Sequence, residues 1–561
     1  MKKKPVSIAL TVLMCTSLFS PAVFAHGGEN GREASEMKNV RTHPAFTWGN
    51  PAPSSPVLHP GSARGAGMRQ STLDMIDPLM EEKITEGVMP GAVALVARSG
   101  HIVKHDAYGD AYRYTDGDFT ETDSPIAMEK DTIFDLASIS KIFTTTAAMF
   151  LYEDGAFELD DPVAEYIPEF AANGKEDVTI RQLMTHTSGF TAWIPLYNKG
   201  KDREDRMQIV FNHPLANEPG TAYTYSDLNM ITLGAIIERL SGQRLDEFVK
   251  ENITEPLGME DTMYNPPASM KERIAATEYQ PAIGRGLVWG EVHDENAWSL
   301  DGVAGHAGVF STAEDLAKFA HMFVKEGRYG GKRILKPETI QMLSENQIPE
   351  FPGDDHGLGW ELNQGWFMDG LADENSLGHT GYTGTSIVVN QENDTIAILL
   401  TNRVHPSRST VSTNTVRRPF ARLVADSIPV DIQGHKKEKA WFAGYGDQLN
   451  RSLTAEVNVE EDARLSFTTW YRIEKDSDFG HVETSVDGET WTAAGNAFTG
   501  SSEDWSEEEA SIPAGTKYIR FNYDTDASVN YRGWYVKDIK LKVGNGDKLK
   551  THFRGWTERS Y

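Results

Sequence analysis

The sequence predicts an α/β (α+β) domain, one sheet with helices around it, followed by an all-β sandwich. Strand-like segments at both ends of one long region are the first sign. Residues 91–99 and 101–108 meet at Gly100 as a hairpin, and residues 385–390 and 395–401 flank the polar turn Gln391-Glu-Asn-Asp394. Helical patterns are the second sign, at residues 71–86, 140–152, 228–240 and 412–427, the last with a kink expected at Pro419. Strands at both ends with helices between them predict one sheet closed by both ends of the region. The third sign is a change past the charged break Gly434-His-Lys-Lys-Glu-Lys439, where helical periodicity disappears. Residues 465–470, 481–486, 518–523 and 534–543 read there as strands, with turn signals such as Asp487-Gly488 and Ala514-Gly515 between them.

A chain of 561 residues divides into two or three domains. Its start reads as a secretory signal: Lys2, Lys3 and Lys4, an apolar run over residues 6–19, then Val23-Phe24-Ala25 as the cleavage site. The run is short for a membrane span, and nothing later is long or apolar enough to be one. A secreted protein with no membrane association after cleavage is expected. Residues 1–25 are then the signal, 26–68 a flexible leader rich in Gly, Pro, Ser and Asn, 69–430 the α/β domain and 438–561 the sandwich. The one cysteine, Cys15, falls inside the signal. The mature chain has no thiol, which excludes disulfides, a cysteine nucleophile and zinc–thiolate sites. Loss of the three signal lysines takes the formal charge from −28 to −31. Such a surface repels nucleic acid and anionic lipid, and its simplest use is solubility.

Ser138-Ile-Ser-Lys141 opens the helical pattern at 140–152, which puts a hydroxyl at the head of a helix and an amine one turn later on the same face. That pairing suits acyl transfer through a serine ester. The S-x-x-K pattern alone is weak, since about two matches are expected by chance in a chain of this length. Two further segments follow in order. Tyr223-Thr-Tyr225-Ser-Asp227 directly precedes the 228–240 helix, where a tyrosine can hold its oxygen close to the serine. Taken singly, it reads as a half-buried tyrosine with one hydrogen bond. His379-Thr380-Gly381 precedes the 385–390 strand, and its glycine allows close backbone approach to a ligand. Taken singly, His379 is an ordinary loop histidine.

Together the three segments resemble the serine β-lactamases and penicillin-binding D-alanyl-D-alanine peptidases, in the branch with tyrosine in the second motif. Gln182-Leu-Met-Thr-His-Thr-Ser-Gly189, Gly302-Val-Ala-Gly-His-Ala-Gly308 and Gly357-Leu-Gly-Trp360 fit the same family. Gly378-His-Thr-Gly-Tyr-Thr-Gly384 looks most like the exported muropeptide-amidase and esterase members. The resemblance implies a β-lactamase/transpeptidase-like fold, an antiparallel sheet flanked by helices with a helical subdomain over about 140–290, and a site in the crevice between them. It implies Ser138 as nucleophile, with Lys141 and Tyr225 sharing the base and acid roles. A buried lysine that has lost its charge or a phenolate-like tyrosine would serve as base. The N–H groups of Ser138 and Tyr382 should form the oxyanion hole, and Asp227, His379, Thr380 and Gly381 should meet the substrate. No metal or organic cofactor is needed for the chemistry.

Two positions depart from the family pattern. Asp227 stands where β-lactam-processing relatives carry asparagine, and a carboxylate cannot donate to a substrate amide carbonyl. His379 replaces a lysine and is the weaker cation near pH 7. Both favour esters, D-amino-acid peptides or muropeptide amides as substrates over β-lactams. A β-lactamase or D-alanyl-D-alanine carboxypeptidase is the alternative enzyme, and a non-catalytic wall- or ligand-binding protein the alternative class. His186 and His306 read as structural loop histidines.

The tail resembles the β-sandwich accessory module of secreted immune-inhibitor-type metalloproteases, through Trp470-Tyr-Arg-Ile-Glu474, residues 479–488, Trp491 and Gly533-Trp-Tyr-Val-Lys-Asp-Ile539. Trp470, Trp491, Trp505 and Trp534 either make a face for cell-wall polysaccharide or, the commoner use, fill the sandwich core. Glu474, Asp476, Asp478 and Asp538 offer hard oxygens for a structural calcium, though solvated acids are the simpler reading.

Overall fold

The computed structural model describes residues 54–430, 439–502, 504–543, 547–549 and 551–560. The expected signal and the first part of the leader lie outside the described residues. From residue 54 the leader is no loose arm. Residues His59–Pro60 (β1) pair in parallel with the third strand of the main sheet, and Ala63, Ala66 and Met68 are buried. These apolar side chains give the segment something to bury, which its Gly and Pro content hides.

Besides β1, the main sheet holds Gly91–Arg98 (β2), His101–Tyr114 (β3), Glu121–Ala127 (β4), Glu361–Leu362 (β5), Ser376–Thr380 (β6), Ser386–Asn390 (β7) and Thr395–Thr401 (β8). Its order is β1-β3-β2-β8-β7-β6-β5, with β4 also paired to β3. All pairings but that of β1 are antiparallel. The two ends of the region close the sheet, as Thr395 to Thr401 run against Arg98 to Ala92. Both central strands are buried along their whole length. That is why they read as continuous apolar runs with no alternation.

One face of the sheet is covered by Ile76–Thr85 (α1) and by a carboxy-terminal helix, Asn414–Ser427 (α6), through Ile76, Met80, Phe420 and Val424. The predicted 71–86 helix is two pieces, Gln70–Leu73 and α1, with Pro78 in the first turn of α1, where its missing N–H costs nothing. The other face packs on the helical region through Val93, Leu95, Ile396 and Ile398. That region contains Ser140–Glu153 (α2), Asp227–Ser241 (α3) and Ala313–Val324 (α4). Gly365–Met368 (α5) precedes β6.

Beyond residue 438 two antiparallel sheets face each other. One is built on Ala463–Arg472 (β9), Ser506–Ile512 (β11) and Gly533–Val543 (β13), the other on Phe479–Ser485 (β10) and Tyr518–Asp524 (β12). Leu465, Phe467, Phe521 and Trp534 share the core between them. Trp534 is fully buried and Trp470 nearly so, which leaves these two unable to form an open carbohydrate face. Among the described residues, no helix is long and apolar enough to cross a membrane.

Candidate active site

Ser138 sits in a single tight turn, Ala137–Ile139, directly ahead of α2. Ala137 holds a left-handed backbone, φ 49°, which costs free energy for any residue with a Cβ. Asp135 braces it. One carboxylate oxygen accepts from the Ala137 N–H at 2.8 Å and the other from the His293 N–H at 2.6 Å. Asp135 is buried, and that burial raises its pKa. Behind the turn, Ser140 Oγ accepts from the Val309 N–H (3.0 Å) and Thr144 Oγ1 donates to the Gly305 carbonyl (2.8 Å). Gly305 lets its loop lie against α3, since an added Cβ would stand 1.9 Å from the Met230 carbonyl oxygen.

Lys141 is fully buried one turn on. Its Nζ donates to Ser138 Oγ (2.9 Å) and to the His306 carbonyl (3.2 Å), and lies 2.8 Å from Asp227 Oδ1. It also stands 4.8 Å from the centre of the Tyr225 ring. Burial opposes the charge, but the Asp227 carboxylate and Tyr225 outweigh it and hold the lysine pKa above its ordinary value. Burial pushes the Tyr225 phenol up to about 12, with Lys141 pulling the other way. The resting pair is therefore an ammonium and a neutral phenol. At rest the carboxylate 2.8 Å away holds the proton on the lysine, so neither group is yet the base that the reaction needs.

Tyr225 is aimed by the residues around it. Ser226 caps α3, with Oγ accepting from the Leu228 N–H (3.2 Å) and donating to the Thr191 carbonyl (2.7 Å). The Ser226 N–H donates to His186 Nδ1 at 3.1 Å. Burial holds His186 well below its ordinary pKa, so its imidazole is neutral and can accept. His306 braces Lys141 with its carbonyl and meets Asp294 at 2.8 Å through Nε2. Burial would raise the Asp294 pKa, but the adjacent imidazole keeps it well below the usual carboxylate range. Asp227, Asp294 and His306 bring ligand atoms within 4.8 Å of one another, but the Lys141 ammonium already supplies a positive charge at that place.

The turn after β6 is stitched to the backbone just ahead of Ser138. Thr383 Oγ1 donates to the Asp135 carbonyl (2.7 Å) and Thr385 Oγ1 to the Leu136 carbonyl (3.2 Å). Gly381 is required by this closeness, for a Cβ there would lie 2.1 Å from Thr385 Oγ1 and 2.3 Å from the Leu136 carbonyl oxygen. Arg417 of α6 holds the turn from the other side, donating to the Gly381 (2.7 Å) and Thr385 (2.9 Å) carbonyls. Burial takes its pKa down to about 9 against the pull of Glu361.

A cavity of about 500 Å³ opens over the serine, lined by Ser138, Tyr225, Thr380, Gly381 and Tyr382 and walled by Glu361, Trp366, Arg403 and Arg417. Two residues expected to meet substrate do not line it. Asp227 turns inward to Lys141. His379 is 1% exposed, with Nδ1 on the Thr380 carbonyl (2.8 Å), and burial takes its pKa down to about 3. A covered, neutral imidazole cannot pair with a carboxylate. Sequence reasoning missed Asp135, Glu361, Trp366 and Arg417. Glu361 directly follows the noted Gly357-Leu-Gly-Trp360, while the spacing of Arg417 on a polar helix carried no signal.

In the sandwich, Glu474 and Asp478 meet Asp526, their oxygens within 4.8 Å of one another, while Asp476 and Asp538 stand outside that group. Burial pushes Asp478 up to about 7.

Two family models match the chain. The Beta-lactamase family model matches residues 31–422, and the model of the immune inhibitor A-like MAM domain matches residues 408–552. An Escherichia coli (strain K12) protein carrying the provisional name D-alanyl-D-alanine carboxypeptidase is 32% identical over 381 residues, 62% of this chain and 86% of its own. An N-acetylmuramyl-L-alanine amidase of Bacillus subtilis (strain 168) is 31% identical over 375 residues, 61% of this chain and 84% of its own. Among solved structures, a penicillin-binding protein homologue from Caulobacter crescentus is 20% identical, with a TM-score of 0.50, over 64% of this chain and 99% of its own. The hydrolase EstCE1 is 22% identical, with the same score and the same coverage. These two likenesses show the fold.

Proposed function

The chain belongs to the beta-lactamase family and is a serine hydrolase, and on that footing we propose that it is exported and cleaves amide or ester bonds in cell-wall-derived peptides or small esters. The contact of the buried Lys141 Nζ with Ser138 Oγ at 2.9 Å, beneath the cavity that Ser138 lines, carries this reading. Once the Lys141–Tyr225 pair has lost a proton to solvent, the Ser138 hydroxyl attacks the acyl carbon and passes its own proton to the pair. The oxyanion is held by the Ser138 and Tyr382 N–H groups, and one such donor contributes about 3–4 kcal/mol to the transition state. The proton returns to the leaving amine or alcohol, and water then releases the acyl group. The left-handed turn at Ala137 supports the reading, since it lifts the serine out of the helix that follows.

The amidase relative and the amino-terminal signal pattern support a substrate derived from the cell wall. The carboxypeptidase relative supports a second reading, removal of a terminal D-alanine. The test is mass spectrometry of Ser138 after a fluorophosphonate, followed by turnover of p-nitrophenyl esters, D-alanyl peptides, muropeptides and nitrocefin by the wild type and Ser138→Ala. An adduct at Ser138 and a dead alanine variant are expected. Without an adduct, and with ester turnover unchanged in the variant, a non-catalytic binding protein is the better description.

A further inference from the structure

Three elements that carry the cavity wall also carry the contacts to the sandwich. On α5, Trp366 faces the cavity, and its neighbour Gly365 lies under the sandwich, where a Cβ would come 2.8 Å from both Tyr531 Oη and Val529 Cγ1. On α6, Arg417 turns to the cavity while Arg418 pairs with Asp447 (2.7 Å) and Arg422 bridges Asp369 (2.7 Å) and Asp447 (3.7 Å). Ahead of β6, Asp373 accepts from Ser376 Oγ (3.0 Å) and from the Asn390 amide (2.8 Å), tying the start of β6 to the end of β7. Arg472 of the sandwich reaches that carboxylate at 3.6 Å and donates to the neighbouring Ala372 carbonyl.

The 529–532 loop lies at the centre of this contact. Tyr531 has a left-handed backbone, φ 47°, and packs against the core beneath α6. Arg532, buried beside it, donates to the Ile428 carbonyl at 2.8 Å. A domain that served only as a tether would need a linker and little else. Buried arginines and a strained loop cost free energy unless the surrounding contacts are kept.

We propose that the sandwich is a positioning element of the active-site cleft, its 529–532 loop and Arg472 fixing the wall formed by Trp366, Arg417 and β6. This rests on the cleft around Ser138 being where substrate binds. The domain thereby takes part in hydrolysis of extended substrates without touching the reacting atoms. Tyr531 and Arg472 are its positioning residues.

The experiment uses the full chain. Tyr531→Ala and Arg472→Ala are compared with Tyr531→Phe, Arg472→Lys and Arg464→Ala, the last at an exposed pair with Glu509 (3.0 Å) within the sandwich. Each is assayed for Ser138 labelling by fluorophosphonate, for p-nitrophenyl acetate, and for an ester with a long acyl-peptide arm. The two interface alanine variants should raise KM for the long ester about fivefold or more, with kcat and labelling within about twofold of wild type. The Phe and Lys variants and Arg464→Ala should behave as wild type. Should an alanine variant fail to fold, Asp447→Asn, at the edge of the same interface, must show the same rise in KM. An unchanged KM in the folded interface variants, or an equal loss of kcat on both esters, overturns the proposal. A wild type that is not labelled at Ser138 would instead sink the assignment of the cleft itself.

Discussion

Lys141 Nζ lies 2.8 Å from Asp227 Oδ1, no farther than it lies from the Ser138 hydroxyl it must serve (2.9 Å). The carboxylate keeps the amine protonated, so the resting site lacks a free base and the nucleophile waits for a proton to leave the cluster.

Asp227→Asn should therefore change the pH dependence more than the fold. The wild-type lysine pKa is raised, chiefly by Asp227 once burial is overcome, so kcat/KM should climb on the alkaline side. Removing the carboxylate lets Lys141 give up its proton sooner, and the rise should move to lower pH by about one unit or more. Profiles of kcat/KM against pH on a neutral ester decide it. An unmoved profile would mean that Asp227 does not set the state of the lysine.

Gly381→Ala tests the stitching of the oxyanion side. The new methyl group would meet Thr385 Oγ1 and the Leu136 carbonyl, neither of which can give way without shifting the turn from the serine. A fall in kcat of about 100-fold, with slower fluorophosphonate labelling, is expected from losing one oxyanion donor. Circular dichroism should show the fold retained. Wild-type labelling in this variant would place the oxyanion donors elsewhere.

The sheet and the nucleophile were legible because each leaves a local mark. β2 and β8 are buried along their length and so appear as apolar runs, and Ser138 and Lys141 are one helical turn apart. Asp227 and His379 were placed at the substrate because a motif says which residues gather, not which way each side chain turns. β6 was missed as a strand because Ser376-Leu-Gly-His-Thr380 has too few apolar residues to show a pattern, and its burial comes from β5, β7 and α5. Arg417 and Asp135 act through backbone carbonyls and N–H groups distant in sequence, which no spacing encodes.

Glu361 carries a measurable cost. Its Oε2 is buried without a hydrogen-bond partner among the described residues, and burial pushes its pKa up to about 7 against Arg417 and Lys141. A carboxyl raised in this way favours the folded state below its unfolded pKa near 4.5, and that advantage is lost as pH rises through 7. Glu361→Gln should stabilise the protein by roughly 2–3 kcal/mol at pH 8 and by little at pH 4. Thermal midpoints at the two pH values check this. An equal effect at both would remove titration as the cause.

Asp426 gives the opposite sign. It is buried between the two domains, where it takes Arg559 (2.7 Å) and the Tyr445 hydroxyl (3.0 Å). Burial alone would raise its pKa, but the arginines around it, Arg559 foremost, bring it below the ordinary value. Its contribution is present above the unfolded carboxylate pKa and is lost as pH falls through the lower folded one. Asp426→Asn removes the carboxylate that faces Arg559 and Arg69 and should cost about 3 kcal/mol at pH 7. Scanning calorimetry should show the midpoints of variant and wild type drawing together as pH falls below about 4. A gap that stayed constant with pH would assign the loss to packing rather than to charge.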